Sequence, residues 1–272
     1  MGPVSTLVNI FPFFTRVQIS TARIDDFQLQ LERDQSSKSE VRSDSFKFSS
    51  IRFENIVYKY DEIQDQGFSV EIKDLRINAN EVIFLTGGNG SGKTTFINIL
   101  TGLYRPKSGK VFINDEEIPF EQINWFREQV DAVFSDHHLF KHNYDEFDLT
   151  DNNALLEFFK DAINVRALLR IDSAKNHYDT KLSRGQQKRV ALLLALLSDR
   201  QIIVLDEWAA EQDPFNRNSF YSRWLRLIKD LGKTIIVISH DDDSFDHADR
   251  LIKFSDGKVI SDLMVNVDTA QN

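Results

Sequence analysis

The octapeptide Gly87-Gly88-Asn89-Gly90-Ser91-Gly92-Lys93-Thr94 constrains this chain more than any other stretch. It fits G-x-x-x-x-G-K-[ST] and falls between an apolar run and a helical pattern. Val82 to Thr86 reads as a buried strand and Thr94 to Leu103 as a helix, so the glycines lie at a strand-to-helix turn. Glycine lets the backbone there curl around a polyphosphate, with amide hydrogens and the helix N-terminus pointing inward. Lys93 then supplies a fixed positive charge, and Thr94 a hydroxyl suited to Mg²⁺.

Two further segments acquire meaning beside that loop. Ile202-Ile203-Val204-Leu205-Asp206-Glu207 is a buried-strand pattern ending in two carboxylates. Asp206 at the strand end suits Mg²⁺, and Glu207 suits a water that attacks the terminal phosphate. Leu182-Ser183-Arg184-Gly185-Gln186-Gln187 opens the apolar helical run from Gln187 to Leu197, with Ser183 at the N-cap. Its hydroxyl, amides and helix dipole can face an anion, although helix capping alone would account for the same residues.

Composition removes competing classes. The 272 residues carry 33 Lys plus Arg against 42 Asp plus Glu, a formal charge of −9, so a general basic face for nucleic acid is disfavoured. With no cysteine, disulfide frameworks, thiolate metal sites and cysteine nucleophiles are excluded. The densest apolar run, Val190 to Leu197, falls short of the about 18 residues that a membrane span needs. Residues 1 to 14 lack the basic start and cleavage site of a secretory signal, so the chain is expected to remain in the cytoplasm. His137, His138 and His142 read as polar loop histidines, and Asp241-Asp242-Asp243 as solvated acids at a helix start.

The organisation is that of one large domain with a leading segment. Residues 1 to 33 show an amphipathic helical spacing interrupted near Pro12, and 34 to 46 are polar enough to be a linker. Ile51 to Phe53, Ile56 to Tyr60, Phe68 to Ile72 and Leu75 to Ile77 give short β-rich segments of an antiparallel region, and Val111 to Ile113 another strand. Asn152 to Arg170 has helical periodicity through Leu155, Leu156, Phe159, Ile163 and Leu168. Ile202 to Leu205 and Ile235 to Ile238 read as buried parallel strands, separated by a helical stretch from Arg217 to Leu231.

In this order the motifs resemble the ATP-binding cassette family: a Walker A loop at Gly87 to Thr94, an L-S-G-G-Q-type signature at Leu182 to Gln186, a Walker B strand with its glutamate at Ile202 to Glu207, and a switch histidine at His240. The likeness covers roughly residues 50 to 260. It implies an α/β P-loop NTPase cassette with a RecA-like core, an antiparallel β subdomain and an inserted α-helical subdomain at about 136–197, all within 47–264 and followed by a tail, 265–272. It implies Glu207 and His240 as catalytic residues. ATP would be held by Tyr60, stacking on adenine in preference to Tyr58, with Gly87, Asn89, Gly90, Ser91, Gly92, Lys93, Thr94 and Thr95 around the phosphates. Ser183, Gly185 and Gln186 would contact ATP from a second cassette in a homodimer, with Asp213 as the D-loop acid. Mg²⁺ would take Thr94 and Asp206.

Ser135 stands, beside Asp136, where most cassettes have a metal-sensing glutamine, and is the third expected metal residue. Arg184 replaces the second-position glycine of the signature. The strings F-S-D-x-H-L-F, L-S-x-G-Q-x-K-R and L-D-E-W-A-A-x-Q-D-P resemble the cyclic-peptide and siderophore-peptide exporters, of the pyoverdine and syringomycin exporter kind. By that likeness residues 1 to 33 correspond to the cytoplasmic end of a last transmembrane helix. The chain would then be the ATPase of an exporter, peripheral on the cytoplasmic side of the inner membrane unless fused to its transmembrane domains. A helix docking on its own domain would also account for that segment. The competing function is a soluble cassette ATPase of translation or DNA repair, against which stand the single cassette and the lack of extended heptads.

Overall fold

The structure is a computed structural model that describes residues 46–60, 67–172 and 176–265. The expected amphipathic segment 1–33, the linker 34–46 apart from Phe46, and the tail beyond Val265 lie outside the described residues.

Three five-residue runs set the centre of the molecule. β3 (Val82–Thr86), β9 (Ile202–Asp206) and β10 (Thr234–Ile238) are buried along their whole length. They pair in parallel, β10 lying between the other two with Ile235 opposite both Val82 and Ile203. Because strand side chains alternate, each run feeds two cores. Val82, Phe84, Ile203, Leu205, Ile235 and Val237 face one layer, and Ile83, Leu85, Val204, Ile236 and Ile238 face the other.

The remaining strands extend this sheet. They are β1 (Ser50–Lys59), β2 (Ser69–Asn78), β4 (Ser108–Ile113), β5 (Glu116–Ile118), β6 (Val130–Val133), β11 (Arg250–Ser255) and β12 (Lys258–Met264), and the sheet order is β5-β4-β1-β2-β12-β11-β3-β10-β9-β6. β6 and β11 continue the parallel core, whereas β1, β2, β4 and β5 form the antiparallel wing that the sequence predicts. The four β-rich segments before the P-loop merge pairwise into two ten-residue strands, β1 absorbing a register shift beyond Glu54 against β4. β7 (Ile171–Asp172) and β8 (His177–Tyr178) make a separate short hairpin.

Wing and core meet narrowly. β12 and β2 share the pair Lys258 and Glu71, backed by the Glu71 N–H donating to the Gly257 carbonyl at 2.8 Å. The Gly257 N–H in turn donates to Ser91 of the P-loop at 2.9 Å, and a Cβ on Gly257 would stand 1.9 Å from the Ser69 carbonyl. Beneath this joint the helix Lys93–Leu100 inserts Phe96 between Phe53 of the wing and Phe254 of the core, each ring centroid 5.4 Å away.

Helix ends follow local backbone chemistry rather than apolar spacing. The helix expected to reach Leu103 stops at Leu100 because Gly102 turns left-handed at φ 69. The one expected over Asn152 to Arg170 spans Ala154–Ala162, capped by the Asn153 side chain and closed by Asn164 at φ 56. Arg184–Leu197 starts on a capping box in which Ser183 and Gln186 bond reciprocally. The stretch expected from Arg217 begins at Pro214 behind the Asp213 cap, and a π-helical segment at Phe220–Trp224 splits it.

That π segment presents Phe220 and Trp224 to Trp208. Trp208 stacks on Phe220 at 4.6 Å, meets Trp224 edge-on at 5.8 Å, and donates its indole N–H to the Lys188 carbonyl at 3.0 Å. Since Trp208 is fully buried, Trp208→Ala is expected to lower unfolding free energy by about 3–5 kcal/mol in urea titrations. Leu155→Ala, at a half-exposed site, should change it by under about 0.5 kcal/mol.

Candidate functional site

The P-loop leaves β3 through backbone conformations that side chains resist. Gly87 has φ 132, and a Cβ there would stand 2.2 Å from the Phe254 carbonyl. Gly92 at φ 105 is the N-cap of the following helix and brings no side-chain cap, so the amides of its first turn stay open to a ligand. Lys93 is buried, and its ammonium donates to the carbonyls of Gly87 at 2.7 Å and Gly88 at 3.0 Å, with Ser91 Oγ at 3.4 Å. Burial holds its pKa below the usual lysine range, opposed by the charges of Glu207 and Asp206.

Beside the loop opens a cleft of about 630 Å³ lined by Tyr60, Phe68, Asn89, Gly90, Ser91, Gly92, Lys93, Thr94, Thr95 and Glu207. Its size is in the range of about 300–1,000 Å³ typical of small-molecule sites. Wing and core each supply a wall. Tyr60 hydrogen-bonds Thr95 through the two hydroxyls at 2.8 Å, and its ring stands edge-on to Tyr58 and Tyr104. Thr94 is exposed toward the cleft. Sequence reading missed Phe68, which the return of β2 carries to the wall.

Glu207 reaches the cleft from the end of β9, directly after the buried Asp206. Asp206 closes β9 with 2% exposure. Burial and the neighbouring Glu207 push its pKa up, against the stabilising influence of Ser135 and the charge of Lys188. Ser135 follows β6, whose last residue Val133 pairs with Leu205 of β9, so Ser135 and Asp206 leave neighbouring strand ends. Glu207 is left-handed at φ 47, ψ 37, a conformation that costs a residue with a side chain about 1–3 kcal/mol and concentrates at functional sites. It is held by its N–H donating to the Ile238 carbonyl at 3.1 Å, and by the buried Lys188 ammonium donating to its own carbonyl at 3.2 Å. The turn sends the carboxylate toward His240, with Oε1 and Nε2 3.3 Å apart and both side chains a little under half exposed.

His240 follows β10 and is fixed by its neighbours. The Ser239 hydroxyl meets Tyr221 Oη at 2.9 Å and accepts the Asp241 N–H at 3.0 Å. Asp241 is not the solvated helix-start acid that the sequence suggests: it pairs with Arg217 and accepts from Tyr221 Oη at 2.8 Å.

Ser183, Gly185 and Gln186 stand apart from this cleft, none of them lining it. The glycine at 185 is demanded by packing rather than by an open backbone, since a Cβ would lie 2.3 Å from the Glu211 carbonyl. Gln212 Nε2 donates to the Gly185 carbonyl at 3.0 Å, so the helix start is pinned to the segment after Glu207. Asp213 caps its helix by accepting the Asn216 N–H at 3.1 Å.

Comparison with known proteins agrees with this geometry. SyrD, an ATP-binding protein of Pseudomonas syringae pv. syringae, is 34% identical over 280 residues, covering 98% of this chain and 49% of SyrD. The chain therefore spans about half the length of that relative. Two solved structures share the fold. A bacterial Atm1-family ABC exporter with ATP bound has a TM-score of 0.66 and 20% identity, over 82% of this chain and 40% of its own. The ATP-binding cassette MJ0796, in a dimeric post-hydrolysis state bound to ADP and Pi, has a TM-score of 0.57 and 22% identity, over 79% and 99%. The family description "ABC transporter" matches residues 70–210, from β2 through the P-loop and signature helix to the turn beyond Glu207, and the chain belongs to that family as an ATPase cassette.

Proposed function

We propose that this cassette binds MgATP in the cleft between its P-loop and Glu207, hydrolyses it, and powers export of a peptide-like substrate, a cyclic peptide or siderophore, through transmembrane domains. The observation that carries the catalytic part is the Glu207 carboxylate lining the P-loop cleft with the His240 imidazole 3.3 Å away. In this arrangement Glu207 orients a water and takes its proton as the water oxygen attacks the γ-phosphorus and the bond to the ADP oxygen breaks. His240 holds the carboxylate on the cleft side. Lys93 exchanges the Gly87 and Gly88 carbonyls for β- and γ-phosphate oxygens, and Tyr60 offers its ring to adenine.

The donors fit Mg²⁺, a hard cation that prefers oxygen: a hydroxyl at Thr94, exposed toward the cleft, and a carboxylate at Asp206, the last residue of β9. When bound, Mg²⁺ neutralises phosphate charge. Ser135, just past the strand end beside that of Asp206, stands near this set.

Ser183, Gly185 and Gln186 lie outside the cleft of their own chain, which supports their serving the nucleotide of a second copy. The two copies would enclose ATP at a homodimer interface. Among the described residues no helix is long and apolar enough to cross a membrane. The path across the bilayer is assigned to transmembrane domains, with the cassette on the cytoplasmic side of the cell membrane. The motif strings that resemble the cyclic-peptide and siderophore-peptide exporters support export and the substrate class, the likeness to the ATP-binding protein SyrD runs along 98% of this chain, and no observation favours a non-transport cassette.

Glu207→Gln should bind ATP within about threefold of wild type while turnover falls by about 10²-fold or more, and the variant should elute as a dimer with MgATP on a sizing column. Wild-type turnover would place the base elsewhere. Lys93→Ala should weaken ATP binding by at least about tenfold in a fluorescence titration, because the phosphates lose their nearest fixed charge. Ser135→Ala should change ATPase activity by less than about tenfold, roughly 1.4 kcal/mol of barrier, whereas Thr94→Val should cost more. The reverse order in a steady-state assay would make Ser135 the metal ligand.

A further inference from the structure

Lys188 has no part in the mechanism above, yet it is buried to 3% exposure one turn into the signature helix. It meets the Glu207-Trp208 pair twice. Its ammonium donates to the Glu207 carbonyl at 3.2 Å, and its own carbonyl accepts the Trp208 indole N–H at 3.0 Å. Glu211 Oε1 lies 3.8 Å from the same ammonium. Among the described residues the Ala210 N–H also donates to the Glu207 carbonyl, at 3.4 Å. A left-handed residue with a side chain tends to relax, and relaxation at Glu207 would rotate the carboxylate away from His240 and the P-loop.

We propose that Lys188 is a positioning residue for hydrolysis: from the signature helix it holds the main chain of Glu207 in the left-handed turn that aims its carboxylate at the cleft. The proposal rests on the role given above to Glu207. A buried lysine that served only to fill space or balance the charges of Asp206 and Glu211 would affect folding and nucleotide binding. A positioning lysine affects the chemical step and acts through Glu207.

The full chain is assayed as wild type, Lys188→Met, Glu207→Gln and the double variant, with ATP affinity, steady-state turnover and thermal unfolding measured for each. Lys188→Met keeps the length and apolar stem without a donor. It is expected to lower kcat by at least about tenfold with ATP affinity within about threefold of wild type. In the Glu207→Gln background the same substitution should cost less than about twofold more, since two residues that act as a unit are not additive. Lys188→Gln, a shorter neutral side chain that retains an N–H donor, should fall between wild type and Lys188→Met, and serves in its place if that variant does not fold. The proposal is overturned if Lys188→Met turns over at the wild-type rate while Glu207→Gln is impaired, if the two losses multiply, or if affinity falls as far as turnover. Full turnover in Glu207→Gln would instead remove the base from Glu207, and this proposal with it.

Discussion

A lysine ammonium held inside the P-loop is the constraint around which the site is built. Taking an ammonium out of water is costly unless its donors find acceptors, and Lys93 finds them in the carbonyls of Gly87 and Gly88. Gly87 presents its carbonyl from φ 132, an angle that side chains resist, and the Gly88 carbonyl also accepts the Ser91 N–H at 3.2 Å. A phosphate entering the loop competes with carbonyl oxygens for the ammonium rather than with bulk water. The nearby Asp206 and Glu207 stabilise the charged lysine against desolvation, and Lys93 is the positive charge around which these acids gather.

The second organising contact joins the signature helix to the strand end that carries Glu207. Gly185 lets the helix start sit directly on the Glu211 carbonyl, Gln212 clamps it there, and Lys188 donates to the Glu207 carbonyl and accepts the Trp208 indole N–H across the same seam. The residues proposed to serve a partner's nucleotide and the residue proposed to hydrolyse the chain's own nucleotide therefore belong to one packed body. Aromatic stacking of Trp208 on Phe220 anchors that body to the outer helices.

What was legible in the sequence was whatever is local. The P-loop, the run ending in Asp206 and Glu207, and His240 after an apolar strand each declare themselves through adjacent residues, and the fold brings Lys93, Glu207 and His240 together as their order implies. The continuous apolar runs of β3, β9 and β10 were equally plain, because strands buried on both faces admit little besides Ile, Val, Leu and Phe. Other features depend on partners distant in sequence. Lys188 reads as a polar residue at the start of an apolar helix until the Glu207 carbonyl is seen above it. Gly185 reads as a loop glycine until Glu211 is seen against it. The hairpin β11–β12 escapes a periodic reading because β12 exposes Ile260, Leu263 and Met264 among its polar residues. Early helix stops at Gly102 and Asn164 were hidden because apolar spacing continues past them while the backbone does not.

The narrow joint between wing and core has a mechanical consequence. At β12 the two halves of the sheet share a single residue pair instead of a full ladder, while Phe96 lies between Phe53 and Phe254 as an apolar layer beneath them. A hydrogen-bonded ladder fixes direction, whereas apolar contact resists separation without prescribing an angle. Directional bonds reinforce that layer from the sides: the Arg250 guanidinium donates to the Arg76 carbonyl at 2.7 Å, and Gln201 accepts the Phe48 N–H at 2.8 Å. Phe96 sits on the very helix whose first residue is Lys93, so a ligand touching Tyr60 on one side and the P-loop on the other would bridge the two halves of the sheet where their ladder is shortest.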